Sequence, residues 1–163
     1  GRAFQIVRPF SGLTVLENVV IGSLFGRGHE QSITRAQSIA KEILDQVGIV
    51  ERADDKAGTL TLAGRKKLEI ARSLATQPSL LLLDEVMAGL TPVEVSEALE
   101  TVSKLHREQG LTIIVIEHVM RALMHLSERL VVLHHGSKIA EGTPKEISES
   151  KVVNEVYFGD PKE

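Results

Sequence analysis

Four consecutive leucines followed by two acids, LLLLDE at residues 80–85, constrain the fold of this chain more than any other feature. A short apolar run without polar alternation is typical of a strand covered on both faces in a parallel sheet. Ligands of open α/β sheets bind in the crevice outside the carboxyl ends of such strands. The run therefore predicts a buried strand that delivers Asp84 and Glu85 to a candidate site.

A second buried strand is predicted at residues 112–116, and a helix connects the two strands. Residues 91–94 (TPVE) supply an N-cap, a proline at the first helical position and a capping-box acid, and Gly110 supplies the stop. A strand, helix, strand succession of this length predicts neighbouring parallel strands. His118 follows the second strand, so we expect it in the same crevice as the two acids.

The chain divides into a helical first part, residues 1–76, and an α/β second part, residues 77–163. Apolar residues recur at helical spacing in the first part, and turn residues separate strands and helices in the second. The predicted helices are 15–21, 34–47 (with Thr34 as N-cap), 65–76, 118–127 and a tail from 143, and a hairpin at 130–141 is expected at the sheet edge. The fold class is therefore α/β, a helical subdomain followed by a parallel sheet with flanking helices.

Composition excludes several classes of protein. The chain has 163 residues, of which 42% are hydrophobic, so it is long enough to bury a sizeable core. A net charge of −3 with both signs interspersed gives no basic stripe for nucleic acid. The absence of cysteine excludes disulfides and thiolate metal sites. No apolar run approaches the ~18 residues of a membrane span, so we expect a soluble domain, or one attached to a membrane through a partner.

Two adjacent acids on a rigid strand suit phosphoryl transfer, in which one acid holds Mg²⁺ and another group orients the attacking water. His118 could hydrogen-bond a terminal phosphate. The alternative is a strand that ends at the surface in solvated carboxylates, with His118 as the first residue of a helix. The basic run at 65–67 (RKK) could contact phosphates, but a solvated helix surface is the expected environment.

Five segments in order resemble the ATP-binding subunits of ABC transporters, in particular those of branched-chain amino acid importers. They are similar to the Q-loop (RAFQ, 2–5), the signature (LTLAGRKKLEIAR, 60–72), the Walker B strand (80–85), the D-loop (AGLT, 88–91) and the switch histidine (IEH, 116–118). Residues 10–19 and the tail at 142–159 also resemble these importers. The resemblance implies a partial P-loop NTPase fold.

The resemblance also implies a role for each matching residue. It assigns Gln5 to Mg²⁺, to the lytic water and to communication with the membrane subunit, Asp84 to Mg²⁺, Glu85 to the catalytic base and His118 to the γ-phosphate. Thr61, Leu62, Ala63 and Gly64 would face the nucleotide held by a second subunit. The family's usual signature is serine, two glycines and glutamine, so this chain departs from it at several positions.

The family's phosphate-binding loop, G-x-x-x-x-G-K-[ST], does not occur in these residues. By this resemblance we expect a fragment whose full-length dimeric form hydrolyses ATP with Mg²⁺ to drive import of a solute, a branched-chain amino acid, at permease subunits on the cytoplasmic face of the cell membrane. The fragment alone is expected to bind ATP weakly, because the loop's N–H groups and lysine cradle the phosphates. Two alternatives stay open: a non-catalytic module that docks on a permease or an intact ATPase, and an unrelated hydrolase that uses the two acids.

Overall fold

The computed structural model describes residues 1–3 and 9–158 of the chain. The chain divides into two compact units, Gly1–His118 and Val119–Glu163. The first unit contains β1 (Arg2–Ala3), α1 (Val15–Phe25), α2 (Ile33–Gln46), α3 (Leu62–Ala75), β2 (Leu80–Asp84), α4 (Pro92–Gln109) and β3 (Thr112–Ile116). The predicted α/β class is confirmed.

A three-stranded parallel sheet in the order β1-β2-β3 organises the first unit. The register pairs Leu80 with Thr112 and Asp84 with Ile116, so β2 and β3 end at the same edge. Helix α4 connects them, with a complete capping box at Thr91 and with Gly110 in the left-handed conformation at its end. The predicted strand, helix, strand unit is therefore confirmed.

Strands β2 and β3 are less buried than predicted. Leu81 and Leu83 are buried, whereas Leu80 is 39% exposed on the other face of β2. Ile114 and Ile116 of β3 are 50% and 60% exposed. The expectation of burial on both faces is wrong, because within the described residues only the face of β2 that carries Leu81 and Leu83 is fully covered by packed neighbours.

Helices α1, α2 and α3 pack together and hold most of the core of this unit; its fully buried members include Val15, Val19, Ala36, Ala40, Leu44, Leu68 and Ala71. Two helix starts in this unit differ from prediction. Helix α2 begins at Ile33, because Ser32 is the N-cap and accepts from the Arg35 N–H, so the Thr34 cap is wrong. Helix α3 begins at Leu62 because the Thr61 hydroxyl caps it.

The second unit contains α5 (Met120–Leu126), the hairpin β4 (Leu130–His134) and β5 (Ser137–Gly142), α6 (Pro144–Glu149) and α7 (Lys151–Phe158). Leu130, Ile147 and Val153 form its core. His135 and Gly136 both have positive φ, which suits the tight turn of a hairpin. The hairpin was expected at the edge of the parallel sheet, but β4 and β5 form a separate two-stranded sheet.

The longest helix of the described chain, α4, has 18 residues and carries charged side chains along its length. Across residues 1–3 and 9–158, none of the helices combines the length and the apolar character that a membrane span requires.

Candidate functional site

Asp84, Glu85 and His118 meet at the carboxyl edge of the parallel sheet. Asp84 is the last residue of β2, and Glu85 follows it directly. The Nδ1 atom of His118 lies 4.0 Å from Oε1 of Glu85, with the His118 side chain 67% exposed and that of Glu85 31% exposed. The predicted helix start at residue 118 is wrong, because α5 begins at Met120, so His118 belongs to the strand-end turn. The predicted convergence of the two strand ends is thus present.

Both the backbone N–H and the backbone carbonyl of Glu85 are hydrogen-bonded. Its N–H donates to the carbonyl oxygen of Ile116 at 2.9 Å, and its own carbonyl accepts from Lys66 Nζ at 2.9 Å and from the Ala88 N–H at 3.2 Å. Glu85 has φ 49°, in the left-handed region that residues other than glycine rarely adopt. Strained backbone of this kind persists only where surrounding contacts fix it, and it clusters at functional sites.

The central residue of the basic run at 65–67 is buried. Lys66 is 4% exposed, so the expected solvated environment is wrong for this residue. Burial lowers the pKa of the Lys66 amine, and the carboxylates of Glu117 and Glu85 oppose that shift. Lys67 lies nearer the surface, where its Nζ is 3.2 Å from Oε2 of Glu97. A sequence signal existed: Lys66 stands four residues from both Leu62 and Ile70, on one helical face.

Glu117 supports the turn that follows Glu85. Its Oε1 atom accepts from the Met87 N–H at 2.8 Å, and among the described residues its buried Oε2 atom has no hydrogen-bond partner. Glu117 was not among the predicted site residues. Its position at the end of a strand, opposite the two acids, was the available signal.

The four signature residues form the start of α3. Thr61 is the N-cap, and its hydroxyl accepts from the Gly64 N–H at 3.2 Å. Leu62 and Ala63 therefore lie in the first helical turn. Leu62 also contacts the D-loop segment, because a Cβ placed on Gly89 would meet its Cδ2 atom at 3.0 Å. The nucleotide-binding role of all four residues stays a prediction.

The donor set fits Mg²⁺ in part. Magnesium is commonly held by one or two carboxylates together with substrate phosphates, and Asp84 and Glu85 supply such carboxylates at a half-buried strand end. Within residues 1–3 and 9–158, no group of three or more acidic, histidine or cysteine side chains is arranged as a metal cage. Gln5, the other predicted magnesium residue, lies outside the described residues.

Comparison with known proteins identifies the family. Residues 1–88 match the family described as ABC transporter. The high-affinity branched-chain amino acid transport ATP-binding protein LivG of Escherichia coli (strain K12) is 37% identical, in an alignment covering 98% of this chain and 67% of LivG.

Two solved structures of ATP-binding cassettes have the same fold. An ATP-binding cassette of an ABC transporter in its ADP conformation superposes with a TM-score of 0.81 at 29% identity, covering 98% of this chain and 68% of that chain. A dimeric cassette in a post-hydrolysis state with ADP and phosphate superposes with a TM-score of 0.79 at 26% identity, covering 88% of this chain and 62% of that chain. The chain belongs to the ABC transporter family of ATP-binding proteins.

Proposed function

We propose that this chain forms part of an ATP-hydrolysing subunit of an ABC importer. The observation that carries the proposal is the pair of Glu85 and His118, 4.0 Å apart from Oε1 to Nδ1 at the end of a strand that also presents Asp84. An acid that can take a proton from water, beside a group that can donate to a phosphate oxygen, is the arrangement that phosphoryl transfer to water requires.

Each residue has a distinct role in this proposal. Glu85 orients the attacking water and accepts its proton, and the anchored backbone keeps the carboxylate at one position. His118 donates a hydrogen bond to the terminal phosphate. Asp84 and Gln5 would hold Mg²⁺, which when bound neutralises charge on the phosphate oxygens. These roles follow the family resemblance and are supported by the proximity of Glu85 to His118.

The signature residues Thr61, Leu62, Ala63 and Gly64 would serve the nucleotide of a second subunit. Support comes from their place in the first turn of α3, where unpaired N–H groups and the helix dipole favour anionic oxygens. The related cassette of known structure that is dimeric and holds ADP and phosphate also supports pairing of two subunits.

We further propose that the transported solute is a branched-chain amino acid and that the partners are permease subunits at the cytoplasmic face of the membrane. The name and 37% identity of LivG support this substrate class. The 163 residues alone should bind ATP weakly, because they contain no G-x-x-x-x-G-K-[ST] segment.

A test measures Mg-ATP hydrolysis by a subunit that joins this sequence to a phosphate-loop segment. We expect turnover in the unchanged protein and a loss of about 100-fold in His118→Ala, since removal of one preorganised donor costs that much in comparable sites. His125→Ala, on α5, is the matched control and should retain full turnover. Absence of hydrolysis in the unchanged subunit would instead favour a non-catalytic interaction module.

A further inference from the structure

Lys66 is a buried cation that no part of the proposed reaction uses. Its side chain is 4% exposed, although a buried amine loses its hydration and is stable only when hydrogen-bonded and near opposite charge. Both compensations are present: Nζ donates to the Glu85 carbonyl at 2.9 Å, and the carboxylates of Glu117, Glu85, Glu69 and Asp84 act on its charge. Lys66 therefore connects the signature helix α3 to the turn that carries the proposed base.

The same turn is anchored from the β3 side. The Glu85 N–H donates to Ile116, and Met87 donates its N–H to Glu117 at 2.8 Å. These bonds hold the backbone against β3, and the Glu85 carbonyl accepts one bond from the Ala88 N–H within the turn and one from Lys66 Nζ on α3. The Lys66 amine is the donor from α3 that satisfies this carbonyl, so it helps to fix the left-handed conformation.

Leu62 provides a second contact between α3 and this segment. It stands one helical turn before Lys66, on the same face of the helix, and its Cδ2 atom is the nearest atom to the site of a Cβ on Gly89. The signature helix thus meets the segment at both ends, through an apolar contact at residue 89 and a charged hydrogen bond at residue 85. The hydrogen bond from Lys66 is the directional one of the two, because the half-exposed Leu62 side chain can rotate.

We propose that Lys66 is a positioning residue, which fixes the Glu85 turn to the signature helix and so keeps the Glu85 carboxylate opposite His118. This inference rests on the proposed function for its catalytic consequence, but its structural part does not. Lys66 acts through Glu85 and has no contact with substrate in the proposal.

The first experiment follows amide hydrogen exchange of residues 85–90 in the 163-residue chain. Lys66→Met removes the donor and keeps the aliphatic stem, Lys66→Arg keeps donors and charge, and Lys67→Met makes the same chemical change at the neighbouring residue nearer the surface. We expect exchange to rise about tenfold in Lys66→Met alone, with exchange in the α1–α2 region unchanged. Unchanged exchange at 85–90, or an equal rise throughout the unit, would overturn the proposal.

The second experiment measures hydrolysis by the subunit that joins this chain to a phosphate-loop segment. Lys66→Met should lower kcat about tenfold with little change in KM for ATP, and Lys66→Arg should restore most of it. A rise in KM alone, or an unchanged kcat, would overturn the positioning role. If the unchanged subunit is inactive, the proposed function fails, while the exchange result still decides whether Lys66 holds the turn.

Discussion

The carboxylate of Glu85 and the imidazole of His118 lie 4.0 Å apart because the register of two parallel strands places them at the same edge. Asp84 pairs with Ile116, so the residues that follow each strand emerge side by side. The Glu85 N–H closes the arrangement by donating to the Ile116 carbonyl. Anything that shifts β2 against β3 should therefore separate the two side chains.

Core packing of β2 should contribute to the stability of the first unit on one face of the strand only. Leu81 is fully buried, and Leu81→Ala is expected to lower the free energy of unfolding by about 2–5 kcal/mol through lost burial and a residual cavity. Leu80→Ala is the control on the same strand, and it should cost about 1 kcal/mol because Leu80 is already 39% exposed. Urea denaturation measures both, and equal costs would contradict the assignment of the buried face.

A side chain at residue 89 is disfavoured mainly by the left-handed backbone of Gly89, and less by the neighbouring atoms. Gly89→Ala should cost about 1 kcal/mol of unfolding free energy, because an alanine at positive φ is strained. The atom nearest the new methyl is the end of the half-exposed Leu62 side chain, which can rotate away.

Gly110→Ala is the matched control for that variant. Gly110 has φ 61° and no heavy atom within 4 Å of an added Cβ, so strain alone acts there. The two variants should agree within about 0.5 kcal/mol by chemical denaturation. A much larger cost at residue 89 would show that Leu62 is fixed in place.

Two capping-box acids should make the stability of the first unit depend on pH. The backbone N–H groups of Thr14 and Thr91 hold the pKa of Glu17 and Glu94 below the usual 4.5. Between the lowered pKa and pH 4.5, the unfolded state binds more protons than the folded state. The stabilisation from these two acids is therefore fully present above pH 4.5 and is lost as pH falls through the lowered pKa.

The double variant Glu17→Gln with Glu94→Gln tests this origin. Glutamine keeps the capping-box acceptor but does not titrate, so the variant should lose less stability than the unchanged chain between pH 5 and about 3. Urea denaturation across this range gives the comparison. Identical pH profiles for the two proteins would place the acid sensitivity elsewhere.

Local sequence chemistry predicted the elements well where the deciding contacts are local. The cap at Thr91, the stop at Gly110 and both strands of the parallel pair lie where their own residues place them. Burial was harder to predict, since whether Ile114 is covered depends on which neighbours β3 has rather than on the strand itself.

In the candidate site, too, some features could be predicted from local sequence and others depend on tertiary contacts. Asp84, Glu85 and His118 could be placed together from strand order alone. Lys66 was not assigned, because a lysine in a basic run is usually solvated. Its spacing from Leu62 and Ile70 was a weak local signal, and its burial depends on the distant Glu85 carbonyl and Glu117. The strained φ of Glu85 likewise arises from tertiary contacts that no local pattern encodes.

Calorimetric titration of the 163-residue chain with Mg-ATP tests the expectation that these residues alone bind ATP weakly. We expect binding weaker than about 1 mM, because the phosphate-loop motif is absent from these residues. Joining the chain to a phosphate-loop segment should restore binding. A micromolar Kd for the chain alone would contradict this part of the account.

The most direct measurement of the central claim compares ATP hydrolysis and ATP binding in Glu85→Gln, in a subunit that joins this sequence to a phosphate-loop segment. We predict that hydrolysis falls by at least about 100-fold, since a general base contributes that much, while affinity for ATP stays within a few-fold. Glu100→Gln, an exposed position on α4, is the control and should hydrolyse ATP normally. A Glu85→Gln subunit with normal turnover would contradict the assignment of Glu85 as the catalytic base.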